Sequence, residues 1–399
     1  MLRRMTRRFM TVVVLGIMTV GCLEVDPAYF DSSTGPMTPP ETPWETTDGG
    51  TPPPTPPPPP TPGETGPDDD DDDDDTDTGD TDTDTDTDTD TDTDSGSSTG
   101  AECEPPMPVS CDDQNPMMPE DAMWQAMGLK CPGGIGVTGD SFLGASDAFY
   151  VHMGALGTSL PPEFAPTEGD RFLVLSSGWA QNLTVAGTSP SFDNPGADPG
   201  LLPPPLDPNA VSAAQDCIDN PMLLGTGDCS NTIEPQWQLG GTQAYDYAEL
   251  RFSVDVPQLI TSFSFDLAML STEYPDFYQI AGYNDLFIAW MESETWTGNV
   301  SFDASGNPIS LSSDFLIYKD APNKFDCPLA CFAPELAGTG MEGHAGTPWL
   351  TTTVEVTPEE TIDIVFAVFD MGDPMFDTAV LLDNWRWGCD TGSPVTNIQ

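Results

Sequence analysis

An all-β fold, an antiparallel sandwich or jelly roll with one or two short helices, is predicted for residues 101–399, preceded by a disordered tether. Three observations predict it. Apolar residues in this region recur mostly with period two, clusters of Gly, Pro, Asn and Asp separate the apolar runs, and few windows carry a helical period. Phe263, Phe265, Leu267 and Met269 alternate with Ser262, Ser264, Asp266 and Ala268, which reads as a half-buried strand. Ile362, Ile364, Phe366 and Val368 alternate around Asp363, Val365 and Ala367, and Leu350, Thr352, Val354 and Val356 alternate with Trp349, Thr351, Thr353 and Glu355. The run Leu286–Met291 is apolar on both faces, as a central strand is. Ser305-Gly306-Asn307-Pro308 and Thr357-Pro358 supply turns between such runs. This pattern of many strands with few helical windows is that of a sandwich or jelly roll.

The segments before residue 101 read differently. Arg3, Arg4, Arg7 and Arg8 form a basic start, followed by an apolar run from Phe9 to Val20. Twelve residues are too few to cross a hydrocarbon layer of about 30 Å as a helix rising about 1.5 Å per residue, so residues 1–21 read as a secretory signal peptide. Thr19-Val20-Gly21-Cys22 resembles a bacterial lipobox, with Thr19 where Leu is usual. That resemblance implies a lipidated Cys22 as the first residue of the mature chain and a membrane as partner. Leu23, rather than Asp, follows the cysteine, which points to the outer membrane or cell surface rather than the inner membrane.

Residues 22–100 read as the tether. Between Pro36 and Pro67, 14 of 32 residues are proline, which favours an extended polyproline II spacer. Asp68–Asp75 and the Asp-Thr repeat ending at Asp94 contain 17 Asp and no Lys or Arg, so self-repulsion keeps the chain open. Residues 23–100 would reach about 250 Å at about 3.3 Å each. A solvated spacer is the simplest reading; a calcium-sequestering Asp run and O-glycosylated threonines are the sharper ones.

Charge narrows the function classes. The chain has 66 acidic and 10 basic residues, a formal charge of −56. This excludes a nucleic-acid binder, which needs Lys and Arg against phosphate, and a basic patch for anionic lipid. With the 24 acidic and four basic residues of the first hundred set aside, the folded part still holds 42 acidic against six basic. Two histidines, His152 and His344, leave little for His-based catalysis or a His-rich zinc site.

Nine cysteines suit an oxidising compartment. Lipidation of Cys22 leaves Cys103, Cys111, Cys131, Cys217, Cys229, Cys327, Cys331 and Cys389, enough for four disulfides. About a hundred pairings are open, with Cys217–Cys229 and Cys327–Cys331 the simplest local ones. One helix is expected where Pro119-Glu120-Asp121 opens a turn, Ala122, Met123, Ala126 and Met127 form a stripe, and Gly128 ends it. Residues 203–243 read as a long loop or insertion, with a short helix conceivable around 211–217.

Several motifs together resemble the choice-of-anchor L domain. They are Phe263-Ser-Phe265-Asp, Leu270-Ser-Thr-Glu273-Tyr274-Pro275, Tyr283-Asn284-Asp285-Leu-Phe287, Gly306-Asn307-Pro308-Ile309-Ser310, Gly346-Thr347-Pro348-Trp349 and Val380-Leu-Leu-Asp383-Asn384. Ala126-Met127-Gly128-Leu129 and Leu175-Ser-Ser-Gly178 extend the likeness over roughly residues 111–389, interrupted near 203–243. The resemblance implies surface display beside a variable anchor. It supplies no reaction.

Candidate chemistry centres on carboxylates. Asp370, Asp373 and Asp377 follow a strand within one turn-rich segment, Asp383 lies a few residues on, and Glu273 and Asp285 flank another acidic loop. Hard oxygen donors in such turns suit calcium, although neither loop has the spaced Asp pattern of an EF-hand. Turn-capping by the same Asp residues is the plainer alternative. Glu273 with Asp285, or Asp370 with Asp383, could also form a glycosidase pair at the usual separation of about 5–10 Å. Trp349, Trp385 and Trp387 are either a sugar-stacking platform or core, and Tyr274, Tyr278 and Tyr283 are the better candidates for exposed ligand contacts. The sequence thus leads to a surface-tethered, disulfide-stapled sandwich binding an extracellular glycan or protein, stabilised by calcium. A secreted polysaccharide-acting enzyme and a structural coat component are the competing classes.

Overall fold

The computed structural model describes residues 102–111, 119–188, 197–206, 221–224, 233–278, 280, 282–313 and 334–399. Cys22, the tether, the conceivable helix at 211–217, and Cys217, Cys229, Cys327 and Cys331 lie outside them. Two antiparallel sheets form the fold. The first runs β1 (Thr138–Leu143), β4 (Ala244–Asp255), β11 (Thr361–Met371), β6 (Leu286–Glu292) and β7 (Thr297–Asn299), with β8 (Ile309–Ser310) also on β6. The second runs β13 (Val395–Ile398), β10 (Leu350–Glu355), β5 (Ser262–Ser271), β12 (Thr378–Gly388), β3 (Arg171–Ser176) and β2 (Phe149–Met153), with β9 (Ala345–Gly346) on β5. This is the mostly β, few-helix sandwich that the period-two pattern predicts.

The inner faces meet in one aromatic core. Phe263, Phe265, Leu267 and Met269 from β5 face Phe366 and Ile364 from β11, with Trp385 between the layers. Trp385 stacks on Phe263 with centroids 4.3 Å apart and planes at 10°, and Phe265 approaches Phe366 at 4.8 Å. The expected helix is α1 (Pro119–Gln125), which places Trp124 5.1 Å from Phe252; Gly128 follows it at φ 79°, a left-handed conformation that suits glycine.

Both sheets are also covered on their outer faces. Leu156, Phe164, Leu183 of α2 (Ala180–Thr184) and Trp349 pack over the second sheet. Leu202, Leu206, Ile233 and Trp237 pack over the first. Two expectations change accordingly. Every residue of β5 is buried, so it is a central strand and not a half-buried one, with Asp266 held inside by Arg386 at 3.0 Å, Thr351 and Asn384. The stretch 203–243, read as loop, contains α3 (Ile233–Leu239), whose Ile233 and Trp237 lie one turn apart and cover the sheet.

Two disulfides are formed among the described cysteines. Cys103–Cys389 joins residues 286 apart, and Cys111–Cys131 joins residues 20 apart.

Candidate functional site

Among the passages between sheets at one end of the sandwich are those from β5 to β6 and from β11 to β12. The two corner loops touch. Phe277 meets Phe376 at 5.1 Å, and a Cβ on Gly372, at φ 98°, would fall 1.9 Å from the Gly282 carbonyl oxygen. These crossings bring Glu273, Asp285, Asp370 and Asp377 to one corner, all at most 1 % exposed.

Hydroxyls thread the corner together. Thr378 donates to Asp285 Oδ2 at 2.5 Å, and Met371 N–H donates to Asp285 Oδ1 at 3.0 Å. Ser177 donates to Asp370 Oδ1 at 2.5 Å and accepts the Thr378 N–H at 2.9 Å. Thr272 donates both its N–H and its hydroxyl to the Asp377 carbonyl at 3.0 Å. Asp370 Oδ2 and Glu273 Oε2 stay outside this network, buried and accepting no hydrogen bond.

Burial dominates the electrostatics, because a carboxylate removed from water loses hydration that only a partner can replace. It holds Glu273 well above the ordinary carboxylate range, with Asp285 and Asp373 pushing the same way. Burial also raises Asp285, against the pull of Thr378 and Met371, and raises Asp370, to which Asp285, Asp377 and Asp246 add. Among the described residues, no three Asp, Glu, His or Cys side chains converge into a finished metal cage.

Asp246 escaped the sequence reading. Between the Val368–Ala248 and Asp370–Tyr245 pairs, one residue of β11, Phe369, faces two of β4, Asp246 and Tyr247, and this bulge holds Asp246 at φ 49°. The irregular backbone leaves its side chain fully buried. An aspartate between Tyr245 and Tyr247 in a strand-like run is the signal that could have marked it.

Asp383 does not join the group. It lies five residues along β12 from Thr378, about 16 Å at the usual strand rise. There its carboxylate accepts the N–H groups of Thr167, Glu168 and Asn384 at 2.7, 3.2 and 2.7 Å. Asp370 and Asp383 therefore form no acid pair. Asp373 stands on the loop and accepts the Met375 N–H at 3.0 Å.

Tyr274, expected to be exposed, is buried at 1 %. Its ring leans on Tyr278 at 5.6 Å and its carbonyl accepts the His344 Nδ1–H at 2.8 Å, so both residues hold the loop. Tyr278 and Tyr283 are half-buried. Trp385 and Trp387 belong to the inter-sheet core and Trp349 to the outer cluster on the second sheet, so the three form no common platform.

Fold and site together define a disulfide-stapled β-sandwich module with a buried acidic corner. Residues 225–385 match the family model of the choice-of-anchor L domain. The match includes the Glu273, Asp285 and Asp370–Asp377 corner; the Ala126–Leu129 and Leu175–Gly178 segments lie upstream of it. No curated protein and no solved structure matches the chain.

Proposed function

We propose that this protein is a lipoprotein that displays its sandwich outside the cell, on a tether anchored by a lipidated Cys22, to bind an extracellular glycan or protein. The observation that carries this reading is the choice-of-anchor L match downstream of a lipobox-like Thr19-Val20-Gly21-Cys22. An acylated cysteine supports stable anchoring once more than one chain is attached. The half-buried Tyr278 and Tyr283, on the corner loop, are the contact candidates that best keep an accessible face. Calcium stabilises the folded unit in this reading, supported by the carboxylates gathered at the sandwich corner.

Cell fractionation of Cys22→Ser beside the natural chain tests the anchor. Release of the variant from the membrane fraction is expected, and retention overturns it. A glycan array and a polysaccharide-hydrolysis assay test the module. Saturable binding without turnover is expected; turnover abolished by Glu273→Gln would replace the binding module with an enzyme.

A further inference from the structure

We propose that a cleft on the outer face of the first sheet, walled by Pro204 and Pro205 and holding Arg251, Trp290, Glu292 and Asp363, binds a neutral glycan. The inference rests on the glycan arm of the reading above and gives it a site and a ligand class; neither Tyr278 nor Tyr283 lines this cleft. Its volume is about 410 Å³, within the usual range of about 300–1,000 Å³ for small-ligand sites.

Strand register builds the floor. Val365 of β11 pairs with Arg251 of β4 on one side and with Trp290 of β6 on the other. Two residues along, on the same face, Asp363 pairs with Ser253 and with Glu292. Strands about 4.8 Å apart, rising about 3.3 Å per residue, therefore plant the four polar side chains on a patch of about 10 by 7 Å. The 202–206 segment, whose Leu202 and Leu206 cover the sheet, contributes Pro204 and Pro205 as the wall.

The cleft holds unspent hydrogen-bonding capacity of both kinds. Arg251 is clamped along one edge: Nε and Nη2 donate to Glu249, which also accepts the Tyr247 hydroxyl, and Nη2 donates to the Pro204 carbonyl at 2.8 Å. Its Nη1 has no partner among the described residues. Trp290 is 1 % exposed, and its indole N–H is likewise unbonded. A buried donor without a partner is costly until a ligand or water takes it. Asp363 accepts the Ser253 hydroxyl on Oδ1 and keeps Oδ2, and the exposed Glu292 stands opposite it.

Two donors beside two carboxylates fit a ligand whose groups donate and accept at once, as sugar hydroxyls do. The rings of Pro204 and Pro205, with Val365 on the floor, give the C–H face of a sugar an apolar bed. An anionic glycan is disfavoured, because Asp363 and Glu292 stand in the cleft and the folded part carries 42 acidic against six basic residues. An ammonium group would pair with the carboxylates, yet it accepts nothing from Arg251 or Trp290.

The test uses the full mature chain and titrates cellohexaose, maltohexaose, laminarihexaose and mannohexaose by calorimetry, with a heparin hexasaccharide as the anionic control. Glu292→Ala, Asp363→Ala and Trp290→Phe are compared, each beside its thermal melting curve. At least one neutral hexaose should bind saturably, and the heparin fragment should not. Glu292→Ala and Asp363→Ala remove exposed side chains, so they should melt within a few degrees of the natural chain and bind about tenfold more weakly or worse. Trp290→Phe removes the N–H and keeps an aromatic ring, and should weaken binding about threefold or more. Hexaose binding that survives all three substitutions, or is lost only with Tyr278→Ala, overturns this cleft and leaves the glycan-binding module standing. Binding of the heparin fragment alone overturns the neutral ligand class. No saturation by any of the four hexaoses overturns the cleft, and the glycan array decides separately whether the module binds sugar at all.

Discussion

The carboxylate of Asp377 rests directly on Gly178: a methyl group on that glycine would fall 1.8 Å from Oδ2. Gly178 follows β3 and Asp377 precedes β12, so the contact pins the ends of two paired strands, with Ala379 opposite Ser176 in the register. Glycine is needed here for space.

Gly178→Ala should therefore destabilise the fold by about 1–3 kcal/mol, the usual cost of overpacking a filled site. Adding Asp377→Ala should recover part of that loss. Urea unfolding of both single variants and the double variant measures the coupling, and strict additivity would place the strain elsewhere.

Trp385 packs between the layers, stacked on Phe263 and edge-on to Phe252 at 5.5 Å. Trp385→Ala should cost about 3–5 kcal/mol and lower the unfolding midpoint, as expected of a large core truncation. A binding defect at unchanged stability would instead assign this ring to ligand recognition.

Cys103–Cys389 spans far more chain than Cys111–Cys131, 286 residues against 20. Chain-entropy reasoning gives the longer closure the larger effect, within the usual range of about 2–5 kcal/mol. Paired Ser substitutions at each bridge, compared by thermal melting, should show the greater loss at Cys103–Cys389.

Asp383 supplies a pH dependence separate from the acidic corner. Burial pushes its carboxyl up to about 8, against three backbone N–H groups that pull it down. Unfolded, it titrates near 4. Between these values the folded state holds a proton that the unfolded state has lost, so stability falls as pH rises from about 4 to about 8 and the penalty is complete above that. Unfolding at pH 5 and pH 8 should show a smaller decline for Asp383→Asn than for the natural chain.

Periodicity revealed strands better than their surroundings. The Ile362–Val368 alternation maps onto the inner face of β11 because one face meets the core at every second residue. Ser262, Ser264 and Asp266 looked solvent-facing because their cover, and the Arg386 partner of Asp266, comes from distant chain. Within α3, Pro235 and the short spacing from Ile233 to Trp237 leave too little periodic signal to distinguish helix from loop. Glu273 and Asp370 were legible as acidic loop residues. Their meeting was not, since nothing local encodes two sheet crossings ending at the same corner. Asp246 depended on a bulge, and the separation of Asp383 on the strand's rise.

The bridge from Cys103 to Cys389 decides where a pull on the preceding chain enters the fold. Tension arriving along the chain before Cys103 passes across the sulfurs to the residue following Gly388, the end of β12, where the strand pairs with β5 through Gly388 and Ser262. The stretch from Glu104 to α1 is spared, because the covalent shortcut carries the load past it. Force is thus delivered to a strand inside the second sheet, paired with β5 along its length and with β3 over Ala379–Leu382, and not to the edge strands β13 or β2.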